Sequence, residues 1–488
     1  MTDTLPELLR TAAAHFGDQP AYIDGDETLS YAELLERVRR TASGFLALGL
    51  QPGDTVCIWA PNSIAWAVNA LAATYAGGVL VPANSRYTAA EVADLVRRAK
   101  ARVVLVEDGF LGRSQLSDLT AYCLDAEVRD LHAELPQGPD PDQVADAVTC
   151  DDVADILFTS GTTGKSKGAM SAHRQTIGVA RAWAELGGVS ADDRYLVINP
   201  FFHSFGYKIG IVVGLLTGCT LYPAATFDVD ATMELIEREQ ITLLPGAPTI
   251  YQSLLDAPGR SQRDLSSLRL AVTGAAVVPV VLIERMRDEL GIDKVVTAFG
   301  MTEAVVVTMC REGDSAETVA TTCGRAIPGM QIRLGERDEL LVRGDFVMLG
   351  YLDDREATDQ AIDDDGWLHT GDVGTIDEHG NLSITDRLKD MYISGGFNVY
   401  PAEVEQTLMR LQGVSDVAVV GVPDARLGEV GKAYVVRASE AGLTSDNVIE
   451  FAKERLANFK VPREVAFVPS LPRNLSGKVL KTELRHGS

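Results

Sequence analysis

Short runs of Val, Ile and Leu at 103–106, 195–198, 241–244, 268–273 and 294–297 alternate with amphipathic segments of helix length through most of this 488-residue chain. Strands that apolar along their whole length need cover on both faces, which is the pattern of βαβ units and mostly parallel sheets. The alternation therefore restricts the bulk of the chain to the α/β class. At roughly 100–200 residues per domain the length calls for several domains, and the absence of any repeat excludes a solenoid. From about residue 335 the texture changes to shorter strands and turn signals, Asp363-Asp-Asp-Gly-Trp367 and Asp377-Glu-His-Gly-Asn381, which read as hairpin turns. Further strands at 417–422 and 433–436 and a helix over 445–456 follow. We expect a large multi-sheet N-terminal domain over 1–388 and a small α+β C-terminal domain over 389–488, joined at Asp386-Arg-Leu-Lys-Asp390.

Composition narrows the function classes. Apolar residues make up 46% and charged residues 23%, so the chain can bury cores. Lys and Arg number 44 against 69 Asp and Glu, a formal charge of −25 that repels phosphate backbones. Nucleic-acid and anionic-membrane partners are not expected, and an anionic ligand must be held by local donors. The six cysteines show neither C-x-x-C nor zinc-ligand spacing and read as reduced residues of a cytoplasmic protein; the N-terminus has no signal-peptide pattern. No charge falls between Asp54 and Arg86, but Pro61, Gly77, Gly78 and Pro82 interrupt that stretch, so it reads as a buried helix and strand, not a membrane span. The Pro- and Asp-rich segment 134–152 reads as a surface connector.

The segment Leu157-Phe-Thr-Ser-Gly-Thr-Thr-Gly-Lys-Ser-Lys-Gly168 is the most unusual. A strand enters a loop of Gly, Ser, Thr and Lys that leads to a helix near His173. Glycine allows close backbone approach, hydroxyl and N–H groups donate, and lysine supplies charge: a phosphate cradle. A Walker A loop would require Gly where Thr159 stands, and no G-x-G occurs anywhere in the chain, so both common nucleotide fingerprints are excluded.

Thr159-Ser-Gly-Thr-Thr-Gly-Lys-Ser-Lys-Gly168 resembles the signature loop of adenylate-forming enzymes: acyl-CoA synthetases, luciferases and peptide-synthetase adenylation domains. Further matches follow in that family's order: Phe299-Gly-Met-Thr-Glu303, Tyr351, Trp367-Leu-His-Thr-Gly-Asp372, Asp386-Arg-Leu-Lys-Asp390, Gly395-Gly-Phe-Asn-Val-Tyr-Pro-Ala-Glu403 and Pro472-Arg-Asn-Leu-Ser-Gly-Lys478. The resemblance implies an ATP-dependent acid–CoA ligase that forms an acyl-AMP with release of pyrophosphate, then a thioester with release of AMP. Its cofactors would be ATP, Mg2+ and coenzyme A, its partner a small-molecule carboxylic acid, and a homodimer is compatible with it.

Carried over position by position, the resemblance implies these roles. Thr159, Ser160, Gly161, Thr162, Thr163, Gly164 and Lys165 would cradle phosphate. Phe299 would stack on adenine with Gly300 beside it, and Gly274, Ala275 and Ala276 would form the opposite wall. Thr302 would contact phosphate, and Glu303 would bind magnesium; as bare sequence a helix-start glutamate is an equal reading. Asp372 would accept from the ribose hydroxyls, for which an acceptor-only carboxylate is suited. Arg387 would face ribose or phosphate, and Lys389 would be the hinge of a mobile lid. Lys478 would bridge carboxylate and α-phosphate, while Gly395 and Gly396 would line the CoA tunnel.

His203 matches the position beside the acyl carboxylate, with Phe205, Tyr207, Lys208, Thr249 and Val305 as candidate acyl-pocket walls. No Asp stands near Phe205-Gly206-Tyr207 to hold an amino group, which argues against an amino acid substrate. The wording Asn199-Pro-Phe-Phe-His-Ser-Phe-Gly-Tyr-Lys-Ile-Gly210, with Thr321-Thr-Cys-Gly-Arg325, resembles a narrower actinobacterial group that ligates CoA to a steroid-derived methylhexahydroindanedione propionate. Lys208 would suit a ring ketone there, or simply reach the surface. Fatty acyl-CoA and aryl-CoA ligases, a luciferase-like oxygenase and a non-catalytic scaffold remain the alternatives.

Overall fold

The structure, a computed structural model, describes residues 3–159, 166–274, 278–387, 390–394, 397–424, 426–438, 442–473 and 479–486. It divides into two compact units, Met1–Ile332 with Val342–Leu368, and Arg333–Leu341 with His369–Ser488. The fold is mixed α/β, with a large N-terminal and a small C-terminal part.

The first unit contains a seven-stranded sheet in the order Gly350–Tyr351, Gly168–Ala172, Val153–Phe158, Val79–Ala83, Thr55–Trp59, Val103–Val106 and Glu127–Asp130. The last five run parallel, while Gly168–Ala172 is antiparallel to both its neighbours. The charge-free stretch supplies Thr55–Trp59, the buried helix Ile64–Tyr75 and the buried strand Val79–Ala83, and no described helix is long and apolar enough to cross a membrane. The helix Ala89–Ala99 starts at a Thr88/Glu91 capping box and closes one face over Cys57, Val81, Val104 and Ile156.

Two four-stranded sheets complete that unit's strands: Glu27–Ser30, Pro20–Asp24, Thr220–Pro223, Arg194–Val197, and Leu270–Gly274, Lys294–Met301, Ala304–Met309, Arg325–Ala326. The expected strand at 241–244 contributes only Leu243, bridging in parallel to Tyr195 and Leu270. Pro245 follows and has no N–H with which to continue a ladder. The connector 134–152 is not merely surface: helix Asp142–Ala147 begins there, and Asp142 accepts from Tyr75 Oη at 2.7 Å and from Arg39 at 2.7 and 3.0 Å. The six cysteines are free; Cys57, Cys219 and Cys310 are buried, whereas Cys123 is exposed.

A further four-stranded sheet runs Met330–Leu334, Glu339–Gly344, Leu368–Ile376, Leu382–Arg387. Asp377 makes the expected hairpin turn, accepting from the backbone N–H of His379 and Asn381 at 2.9 and 2.8 Å. In the second unit, Phe397–Val399, Tyr392–Ser394, Gly428–Arg437 and Val414–Asp424 form a sheet with Glu464–Phe467 added alongside Gly428–Arg437. Helices Pro401–Leu408 and Ser445–Lys453 pack on it through Val404, Leu408 and Val448 against Val419 and Val435.

Candidate functional site

The Gly-rich loop leaves the seven-stranded sheet between two antiparallel stems, with Phe158 opposite Gly168 and Leu157 opposite Ala169. Thr159 and Lys167 close its neck: the Thr159 N–H donates to the Lys167 carbonyl at 2.8 Å, and the Lys167 N–H to Thr159 Oγ1 at 3.3 Å. Ser160, Gly161, Thr162, Thr163, Gly164 and Lys165 lie outside the described residues, as do Ala275, Ala276, Lys389, Gly395, Gly396 and Lys478. Arg387 is placed only as a residue of strand Leu382–Arg387.

Phe299, Gly300, Thr302 and Glu303 come together on one hairpin. Lys294–Met301 turns directly into Ala304–Met309, so Thr302 and Glu303 occupy the tight turn itself and not the start of a helix. Gly300 is required: a Cβ there would stand 1.9 Å from the Val305 carbonyl oxygen. On the other side Leu270–Gly274 runs parallel, with Gly274 beside Ala298, and a Cβ on Gly274 would meet the Ala298 oxygen at 2.7 Å. Glycine at both positions thus permits close backbone approach on either side of half-buried Phe299.

Glu303 is 8% exposed, and its Oε1 accepts from Tyr351 Oη at 2.8 Å. Burial, reinforced by the Glu303 charge, raises the Tyr351 phenol pKa above its ordinary value, so the hydroxyl stays a donor. Lys167 Nζ lies 4.9 Å from the centre of the Tyr351 ring, a cation–π contact. Tyr351, paired in register with Ala169, therefore links the exit of the Gly-rich loop to the Glu303 carboxylate.

Sequence reading passed over a basic cluster at this exit. Arg98 donates to the Ser166 carbonyl at 2.5 Å and lies 5.0 Å over the Phe158 ring. Arg97, Arg98, Lys100 and Lys167 line a cavity of about 340 Å3 together with Asp353 and Asp354, and Lys100 pairs with Asp353 at 2.9 Å. The signal was Arg97-Arg98-Ala-Lys100 at the end of an amphipathic helix, a pattern indistinguishable in sequence from a solvated charged face.

On the acid side, His203 caps a short helical turn, Nδ1 accepting from the Phe205 N–H at 3.2 Å, which leaves Nε2 for the proton. The residue is exposed, and partial desolvation by its neighbours lowers its pKa from the ordinary value. Phe205 meets Trp183 edge-on at 6.1 Å. Val305 is 8% exposed on the second hairpin strand, and Thr249 is exposed on helix Pro248–Asp256.

Two of the expected pocket walls are buried in the interior. Tyr207 is wholly buried, 6.3 Å from Trp66. Lys208 neither reaches the surface nor presents a free ammonium to a pocket: it is 1% exposed, pairs with Asp155 at 2.9 Å and donates to Ser171 Oγ at 2.8 Å.

In the second unit, the His369-to-Asp372 part of the motif is held by Glu339, whose carboxylate meets His369 Nδ1 at 3.0 Å and accepts from the Gly371 N–H at 3.0 Å. Thr370 Oγ1 accepts from the Asp372 N–H at 3.0 Å, and Asp372, 3% exposed, stands in register with Arg387. Glu403, at the end of the Gly395 motif, pairs with Lys460 at 2.6 Å.

A model of the AMP-binding enzyme family matches residues 9–352, and one of the AMP-binding enzyme C-terminal domain matches 403–478. The chain is 55% identical to a methyl-dioxo-octahydroindenyl propanoyl:CoA ligase of Rhodococcus jostii, over 99% of this chain and 98% of that protein, and 53% identical to the ligase of the same name from Mycobacterium tuberculosis, over 99% and 98%. Among solved structures, ATP-bound MatB from Rhodopseudomonas palustris aligns with a TM-score of 0.87 at 31% identity, covering 99% of each chain. O-succinylbenzoate CoA synthetase from Bacillus subtilis, in complex with its acyl-adenylate, aligns with a TM-score of 0.85 at 26% identity, over 98% of this chain and 97% of that one.

Proposed function

We propose a specific reaction for this chain, which belongs to the family of AMP-binding enzymes: ATP-dependent ligation of coenzyme A to the propanoate side chain of a methyl-dioxo-octahydroindenyl ring system. What carries this reading is the identity, sustained over nearly the whole of both chains, to two propanoyl:CoA ligases. In the first half-reaction a carboxylate oxygen attacks the α-phosphorus of ATP and the bond to pyrophosphate breaks. In the second, the CoA thiol attacks the carbonyl carbon, loses its proton and expels AMP.

The first step brings two anions together, so charge must be neutralised where it accumulates. The residues between Thr159 and Lys167 carry N–H, hydroxyl and ammonium donors for phosphate. Phe299, beside Gly274 and Gly300, offers a face for adenine. Asp372 accepts from the ribose hydroxyls, with Arg387 across the strand pair, and Lys478 bridges carboxylate and phosphate as a point charge on a long stem. His203, neutral at pH 7 with its proton on Nε2, orients the acid.

Among the described residues no group of three metal-ligating side chains forms, and Glu303 offers a single carboxylate. That donor set fits a magnesium ion that keeps its waters and arrives on nucleotide phosphates, not an ion caged by protein. Held by Glu303, magnesium would supply neutralisation of phosphate charge. For the second step we assign the pivot to Lys389 and the thiol channel to Gly395 and Gly396, and we place the reaction in the cytoplasm.

The test is a ligation screen with ATP, magnesium and CoA over linear fatty acids, aryl acids and the bicyclic propanoate. The expected outcome is AMP and pyrophosphate release that depends on acid, with the bicyclic propanoate favoured by roughly 10-fold or more in kcat/KM. A linear or aryl acid turned over better would contradict the substrate reading, and a panel without acid-dependent AMP would contradict the ligase reading.

A further inference from the structure

The interior of the first unit holds a charged network that the proposed chemistry does not use. Lys208 Nζ lies 2.9 Å from Asp155 Oδ1, with 1% and 0% of the two side chains exposed. The same ammonium donates to Ser171 Oγ at 2.8 Å, and Thr176 Oγ1 donates to Asp155 Oδ2 at 2.7 Å. Four elements meet here. Asp155 is on the stem entering the Gly-rich loop, Ser171 on the stem leaving it, Thr176 on the helix His173–Gly187 that follows, and Lys208 on the π-turn Tyr207–Val212, which continues the short helical turn capped by His203.

Burying two charges costs several kcal/mol per ion, and an apolar pair of similar volume is often as stable, so stability alone is a weak reason to keep this one. Its position supplies a better reason. Asp155 and Ser171 stand opposite each other in register, so a single ammonium spans both stems of the loop that faces ATP. The Tyr207 N–H donates to the His203 carbonyl at 3.0 Å, so the residue before Lys208 is tied directly to the acid-side histidine. A π-turn is rare and concentrates at functional sites, and this one carries the lysine inward.

We propose that the buried Lys208–Asp155 pair is a positioning device that fixes the His203 segment against both stems of the Gly-rich loop, so that the acid carboxylate and the α-phosphate of ATP are held in line for attack. This rests on the ligase reading above. Lys208 and Asp155 are positioning residues: they touch neither substrate, and Lys208 recognises no ring ketone. Because the pair holds the carboxylate and the α-phosphorus together before a bond joins them, and an adenylate already formed carries that bond, the pair is needed in one half-reaction only.

The test is the double variant Lys208→Met/Asp155→Leu, which removes both charges and fills the volume. The expected result is a folded protein whose AMP affinity stays within about 2-fold of wild type and whose thioester formation from supplied acyl-AMP is unchanged, while acyl-AMP formation slows by about 10- to 100-fold, the scale of an ångström-sized misplacement. A folded double variant with wild-type acyl-AMP formation, or with both half-reactions slowed equally, overturns the proposal. If the double variant does not fold, Asp155→Glu carries the test, since it keeps the pair and lengthens it by one methylene; acyl-AMP formation at the wild-type rate then overturns the proposal. A wild-type protein that forms no AMP with any acid would defeat the ligase reading instead, so the two failures are distinct.

Discussion

Among the carboxylates buried in the first unit, Asp155 and Glu303 are answered in opposite ways. Asp155, wholly buried, receives the Lys208 ammonium and the Thr176 hydroxyl. Glu303, 8% exposed, receives the Tyr351 hydroxyl, and no described Lys, Arg or His forms an ion pair with it. A buried charge that is already neutralised serves the protein's own geometry; one left without a cation is set up for a cation that comes with a ligand. The contrast separates the residue that positions from the residue that binds, although in sequence both are single acidic residues beside apolar strands.

The largest expected effect comes from breaking the neutralised side. Asp155→Asn leaves the Lys208 charge buried without its partner and should cost about 3–5 kcal/mol of stability, read as a fall in the denaturant midpoint. Glu303→Gln should do the reverse: stability unchanged, and acyl-AMP formation slowed about 10²–10³-fold, read by pyrophosphate release. If Glu303→Gln unfolds the protein while Asp155→Asn leaves it intact, the contrast is wrong.

A buried titratable group with no ion pair sharpens the first half of the comparison. His173, 2% exposed, accepts the Leu5 N–H on Nδ1 at 3.1 Å, and burial lowers its pKa to about 4, against a small opposing effect of Asp152. Its folded pKa lies below the unfolded value of about 6.5, so its stabilising contribution is complete above that value and is lost as pH falls toward the folded one. Wild type should lose about 3 kcal/mol between pH 6.5 and 4 from this group, at about 1.4 kcal/mol per unit, and His173→Gln should flatten that part of the profile.

Smaller effects test the Glu303 side. Gly300→Ala puts a Cβ against the Val305 carbonyl, so the hairpin must shift. About 1–3 kcal/mol of stability should be lost, and KM for ATP should rise because Phe299 and Glu303 move with it. Tyr351→Phe removes one hydrogen bond to Glu303 and should lower kcat/KM for ATP by about 5- to 10-fold, consistent with roughly 1 kcal/mol.

The comparison also marks what can be read before folding. The Glu303 side was legible because its residues are contiguous: Phe299 to Glu303 is one motif, and the hairpin keeps it whole. The Lys208 side was not, because Asp155 lies far along the chain and local pattern gives no sign that strand Val153–Phe158 and the π-turn Tyr207–Val212 face one another. The burial of Tyr207 beside Trp66 was hidden for the same reason. Apolar runs located most strands, with Val103–Val106 matching end to end, while Lys294–Met301 ran beyond 297 because its hairpin partner Ala304–Met309 supplied the extra ladder. The α/β architecture follows from such periodicity; which of two buried acids keeps its charge unneutralised follows only from tertiary contacts.

The most direct measurement is acid-dependent exchange of pyrophosphate into ATP, with the bicyclic propanoate as acid and magnesium present, on wild type and Glu303→Gln side by side. Rapid exchange by wild type that vanishes without the acid, and falls at least about 100-fold in Glu303→Gln, is the predicted result. Wild-type protein without acid-dependent exchange, or a Glu303→Gln variant that exchanges at the wild-type rate, would contradict the account.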